Sequence, residues 1–198
     1  MPQISTQEFE RLPLRVHEFL AGVPLHDVWA VDLPHTRSGI TLDEFLRASS
    51  VRPCTLSPLA RVLVNTRLFV GRVFGLDREP TATALETFAT RMTSADRSKS
   101  LAPVGTREGL FRIVYRLENE QLLEVVNRTA HAAAVSALVE TANAYRFYFG
   151  VYVRSVSRFT PAYMALIDPF RKMIVYPSLL RSVRATWNQT FGSTCPYQ

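Results

Sequence analysis

Residues 144 to 164 read AYRFYFGVYVRSVSRFTPAYM. A strand covered on one side only alternates apolar with polar side chains, because successive side chains point to opposite faces. Here Tyr145, Phe147, Phe149, Val151 and Val153 fall on one face, and the other still carries Tyr148 and Tyr152. This strand needs a partner layer for its phenylalanines. The tyrosine face suits a surface that stays partly wet, since the ring packs while the hydroxyl keeps water.

The surrounding sequence supplies the candidates. Residues 5 to 22 mix charge with Phe9, Leu12, Leu14, Val16, Phe19 and Leu20. The stretch HDVWAVDLP, residues 26 to 34, reads as a strand ended by Pro34, with Val28 and Ala30 on one face and Trp29, Val31 and Leu33 on the other. Thr41 with Glu44 three residues later is a capping box and predicts a short helix from Leu42 to about Ala48. Ser57 and Pro58 open a second helix whose stripe runs Leu59, Val62, Leu63, Leu68, Phe69, Val73 and Phe74 to a stop at Gly75. A further helix is readable over Thr83 to Met92, and the polar residues 93 to 109 form the best candidate for a mobile loop.

The period then changes. Phe111, Ile113, Tyr115 and Leu117 alternate with Arg112, Val114 and Arg116. With Asn119 and Glu120 as a two-residue turn, Leu117 faces Leu122, Tyr115 faces Glu124 and Phe111 faces Arg128. The next segment, AHAAAVSALVE, stays extended or bends, although its alanines also permit a helix. The strand of the opening stretch follows, from Tyr145 to about Ser155.

Thr160 and Pro161 begin the last element as N-cap and first-turn proline. Leu166, Phe170, Met173, Ile174, Leu180, Val183, Trp187 and Phe191 continue one stripe at helical spacing. Pro169 and Pro177 each remove a backbone donor. The expectation is one kinked helix, or two helices with Asp168 capping the second. The fold class is therefore α+β, in one domain spanning residues 1–198: a curved antiparallel sheet wrapped around a long C-terminal helix. The face bearing Phe147, Phe149 and Phe111 would meet that helix, and the face bearing Tyr148, Tyr152, Arg112 and Arg116 would be partly wet. Burying the aromatic face is worth roughly 2 kcal/mol per large side chain, which builds a core without any cofactor.

Three phrases, VHEFLAGVPLHDVWAVDLP, FRIVYRLENEQLLEVVNRTAH and YVRSVSRFTPAYMALIDPFRKMIVYPSLLR, resemble the bacterial DUF2867 family of uncharacterised proteins. The resemblance runs from about Leu12 to Trp187 and is thin in the middle third. It implies the helix-grip fold of START and Bet v 1-like proteins, with a cavity between sheet and C-terminal helix for an apolar or amphipathic small molecule. Relatives stand alone or follow an epimerase-like oxidoreductase domain, which this chain lacks. The resemblance carries no catalytic residues.

Motifs for chemistry are sparse. Among eight glycines there is no G-x-G-x-x-G and no G-x-x-x-x-G-K, so a dinucleotide or nucleoside triphosphate site has no support. His17, His26, His35 and His131 form no H-x-x-x-H or H-E-x-x-H pair, and Cys54 and Cys195 lack a partner at metal-ligand spacing, so no metal is expected. No serine sits in a G-x-S-x-G elbow. Glu124 and Arg128 share the covered face in the register above. Buried charge must be paired, so either the register slips by one residue, or these groups pair with each other or with Asp168, Arg171 or Lys172, or they line an otherwise apolar pocket. The candidate ligand-binding set is Tyr115, Glu124, Arg128, His131, Phe147, Phe149 and Phe170. His131 reads either as a hydrogen-bonded strand histidine or as a polar group at the cavity mouth.

Net charge is +6, with arginine far outnumbering Lys99 and Lys172. A GC-rich genome is the plainer explanation and an anionic partner the sharper one, and no block of like charges marks a nucleic-acid patch. The N-terminus, MPQISTQEFERLPLRV, has acids where a signal peptide has basic residues, so a cytoplasmic location is the expectation. Asp168, Arg171 and Lys172 in the middle of Pro161 to Leu180 argue against a transmembrane segment. The leading function is binding of a small hydrophobic or amphipathic ligand. The alternatives are an acid–base enzyme of cyclase or hydratase type using the same cavity, and an interaction module that forms a homodimer through a sheet face or edge strand.

Overall fold

The computed structural model describes residues 3–50, 87–126, 131–156, 158 and 160–192. The helix expected over Ser57 to Gly75, both cysteines and Arg128 lie outside the described residues. The chain is α+β. Two short helices, α1 (Thr6–Glu10) and α2 (Arg15–Phe19), precede strand β1 (Leu25–Pro34) and helix α3 (Leu42–Ser50). A 3-10 turn (Phe88–Arg91) and α4 (Ser94–Lys99) lead to β2 (Arg107–Glu108), β3 (Phe111–Arg116), β4 (Glu120–Val126), β5 (His131–Glu140) and β6 (Ala144–Arg154). The chain closes with α5 (Thr160–Phe170), a π-helical stretch (Arg171–Val175) and α6 (Tyr176–Phe191).

All six strands form one curved antiparallel sheet in the order β1-β6-β5-β4-β3-β2, so the first strand lies beside the last. Trp29 pairs with Phe149, which pairs with Ser136. Both faces of β6 are buried, each in its own core. Tyr145, Phe147 and Val151 pack with Trp29, Leu33, Tyr176, Leu180 and Trp187, which joins α6 and α3 to one face. The phenylalanines thus meet the C-terminal helix as the sequence predicts.

The other face corrects an expectation. Tyr148 and Tyr152 are not on a wet surface; they are buried beneath Phe9, Val16, Phe19, Leu20, Phe88 and Met92. The cover is the N-terminal pair of helices together with the 3-10 turn, and the helices' five-residue lengths give too short a stripe to show as helical periodicity. Phe111 stands apart from both layers, half-buried at the β2 edge opposite Glu108.

The β3–β4 turn is also corrected. Its two residues are Glu118 and Asn119, closed by Leu117 N–H donating to the Glu120 carbonyl at 2.7 Å. Tyr115 therefore faces Leu122, and a bulge at Val114 changes the face beyond it, so Arg112 opposes Glu124. A bulge sets two residues against one and flips the alternation, which an unbroken period-2 reading cannot anticipate. Residues 93–109 are not one loop. Thr93 and Asp96 form a reciprocal capping box that nucleates α4.

Asp168 does not cap a second helix. The chain runs helically through Pro169 and Pro177, and the Tyr176 N–H reaches back to the Arg171 carbonyl across the π stretch. Proline at 177 has no N–H for the usual helical bond, so a wider turn just before it costs less than it would elsewhere.

Candidate functional site

The described members of the expected ligand set do not converge. Tyr115, Glu124 and His131 face the N-terminal helices, whereas Phe147 and Phe149 face α6. Glu124 accepts the Phe88 N–H at 2.7 Å and lies 3.4 Å from His131 Nε2. His131 is fully buried and stacked on Phe88, ring centroids 3.9 Å apart. Tyr115 donates to the buried carboxylate of Glu120, which also accepts the Arg15 and Val16 N–H groups at 2.8 and 2.9 Å. These carboxylates tie helix starts to the sheet and have a structural role. Phe170 lies outside both cores, 49% exposed.

A different group of polar side chains gathers at one end of the layer between sheet and C-terminal helix. A bulge at His26 breaks the β1–β6 register between Leu25 and Asp27. Asp27 then points to the α6 face, sharing it with Trp29. Opposite stand Asp168, Arg171, Lys172 and Tyr176, carried by the end of α5, the π stretch and the first residue of α6. Two backbone irregularities, a bulge and a π turn, thus meet at one place, and both kinds recur at functional sites.

The geometry is compact. His26 Nε2 lies 2.8 Å from Asp168 Oδ2 and 4.0 Å from Asp27 Oδ2. Arg171 donates to Asp168 at 2.9 Å, donates to the Tyr176 hydroxyl, and holds a guanidinium nitrogen 3.5 Å from Asp27 Oδ2. Lys172 Nζ is 3.6 Å from Asp168. The Tyr176 ring meets Trp29 and Phe149, each at 5.6 Å. The Asp27 side chain is inaccessible to solvent, yet neither carboxylate oxygen has a hydrogen-bond partner among the described residues. The Trp29 indole Nε1 is likewise buried and unpartnered. Burial pushes the Asp27 carboxyl above its ordinary value, opposed by the nearby Arg171 charge. Burial also raises the Tyr176 phenol.

His26, Asp27 and Asp168 bring three metal-type donor atoms within 4.8 Å of one another. Arg171 and Lys172 already compensate the same carboxylates, so an incoming cation would have to displace fixed positive charge. Among the described residues, two open hollows of about 480 and 420 Å3 lie near α4 and the β3–β4 turn, and neither is lined by β6 or α6. The layer against α6 is filled by aromatic rings, Trp187 fully buried among them.

The profile of a family described as a protein of unknown function, DUF2867, matches residues 19–178. The chain belongs to the DUF2867 family. The matched span of this DUF2867 chain holds all six strands and every residue of the Asp27 cluster, while α1 precedes it and Trp187 follows it. No curated protein and no solved structure matches the chain. No helix among the described residues is long and apolar enough to cross a membrane.

The sequence held a signal for this site. Asp27 falls on a strand face otherwise occupied by Trp29, Val31 and Leu33, and Asp168, Arg171 and Lys172 interrupt an apolar helix. A lone charge on an apolar stripe and a charge cluster on another are natural partners. What sequence spacing does not show is that β1 and α5 are adjacent.

Proposed function

We propose that this chain binds a small amphipathic molecule at the end of the sheet–helix layer. Asp27 and Trp29 take its polar group, and Phe149 and Tyr176 meet its apolar part. The observation that carries this reading is the buried Asp27 carboxylate beside the Trp29 N–H, both without a hydrogen-bond partner among the described residues. A buried polar group left unpaired costs about 1–3 kcal/mol. Side chains two residues apart on a strand are about 7 Å from each other. One hydroxyl or amide group between them donates to Asp27 and accepts from Trp29, satisfying both. Arg171 and His26 close the other side of that position and suit a ligand carrying a partial negative charge. The helix-grip reading is supported by the pairing of first strand with last and by the long helix that directly follows β6.

A second reading, acid–base catalysis, is favoured by one observation. Asp27 has a raised carboxyl pKa and lies 4.0 Å from His26, so two titratable groups face the same ligand position.

The test is native mass spectrometry of protein purified from its host, beside the Asp27→Asn variant. The wild type should retain a small-molecule mass that the variant loses. Asp27→Asn should also raise Tm at pH 7.5, because the variant no longer buries a desolvated carboxylate without a hydrogen-bond partner among the described residues. That gain should vanish below about pH 4, where the wild-type carboxyl is protonated folded and unfolded alike. Wild-type protein that carries no ligand and gains no Tm from a panel of hydroxylated and amide amphiphiles would refute the binding reading.

A further inference from the structure

The segment from Thr160 to Val175 is turned inside out relative to an ordinary surface helix. Its polar residues Asp168, Arg171 and Lys172 pair inward toward β1 or with one another. Its exposed side chains are all apolar, from Pro161 and Ala162 through Leu166 and Phe170 to Met173. Leu166 is 69%, Phe170 49% and Met173 77% exposed. From Ala162 to Met173 this strip runs about 16 Å. Contiguous exposed apolar surface of this kind marks an interaction site.

Charge decides what fits it. Residues 1–140 hold sixteen basic and sixteen acidic side chains, whereas residues 141–198 hold seven basic and one acidic, Asp168. The whole net charge of +6 therefore lies in the part of the chain that carries the apolar strip. Arg154 and Arg158 are exposed just before it, and Arg181 and Arg184 are exposed on α6. A second copy docked on this strip would bring like charges together. An anionic lipid surface meets both features, since apolar side chains enter the interface and basic ones remain among the headgroups.

We propose that α5 and the π stretch dock on an anionic lipid surface through Leu166, Phe170 and Met173. This rests on exposure and charge, not on the ligand reading of the Asp27 cluster. The experiment is co-sedimentation with vesicles of phosphatidylcholine alone and of phosphatidylcholine mixed with phosphatidylglycerol. Partitioning should be roughly tenfold stronger on the anionic vesicles and should weaken with added salt. Leu166→Asp and Phe170→Asp should abolish it without changing Tm, because both side chains already face solvent. Met173→Trp supplies a direct reporter against the buried Trp29 and Trp187: its added emission should be red without vesicles and shift blue with anionic ones. Equal binding to neutral vesicles, absence of binding, a Met173→Trp emission already blue without lipid, or a lipid-free dimer that Phe170→Asp dissociates would each overturn the proposal.

Discussion

Gly150 stands in the middle of β6, on the face that Phe9 covers. A Cβ there would lie 3.0 Å from Val135 Cγ1 and 3.6 Å from both Leu25 Cδ1 and Phe9 Cε1. The glycine makes room for the Val135 side chain, with the fully buried Phe9 ring in ordinary contact range. Gly150→Ala should cost about 1–3 kcal/mol by overpacking, read as a lower urea midpoint at unchanged slope. Adding Val135→Ala should recover part of the loss, because the tightest contact is with that side chain. If Gly150→Ala proves neutral, the close approach of Val135 to this position is wrong.

At the scale of elements, buried carboxylates join helix starts to strands. Glu120 on β4 accepts the first N–H groups of α2 and the Tyr115 hydroxyl, an arrangement that supplies a short helix with the partners it cannot make internally. Burial nonetheless raises the Glu120 carboxyl above its ordinary 4.5, against the opposing pull of Tyr115, Arg15 and Val16. A group raised on folding contributes stability that is full below its unfolded pKa and lost as pH rises through the folded one. Glu120→Gln should nonetheless cost about 1–3 kcal/mol at neutral pH, through an N–H left facing an amide. The advantage of wild type over this variant should grow as pH falls toward 4.5, measured by chemical denaturation across that range. A difference independent of pH would mean that the carboxyl is not buried as described.

The same elements show what could be read from the letters and what could not. Strands β1 and β6 and the start of α5 were legible, because Pro34, the alternating face of Phe147 and Phe149, and the Thr160-Pro161 pair are local signals, whereas the alanines of β5 left strand and helix both open. The face assignment of Glu124 and Tyr115 was half legible. Val114 inserts a bulge, and nothing in its identity announces one. The cover over Tyr148 and Tyr152 was hidden because α1 and α2 are one turn and a little more each, so their apolar residues never complete a stripe. The Asp27 cluster joins β1 to α5, and its parts carry meaning only once the two are side by side.

For the molecule as a whole, two cores share one sheet, and neither is optional. Removing residues 1–22 would strip Phe9, Val16, Phe19 and Leu20 from the face of Tyr148 and Tyr152. At about 1.5–3 kcal/mol per buried side chain, that loss rivals the 5–15 kcal/mol by which domains of this size are stable. The truncated chain, which still holds most of the family-matched span, should lose its near-ultraviolet circular dichroism and bind a hydrophobic dye. A truncated protein that melts cooperatively would show that the second core is dispensable. The pairing of β1 with β6 has a kinetic side too: Leu25 meets Tyr152 and Pro34 meets Ala144. During synthesis the opening strand must wait until nearly the last one has left the ribosome. Over that interval its row of apolar side chains stays open to chaperones and to other nascent chains, so yield in the cell should follow translation speed and chaperone supply more closely than equilibrium stability does.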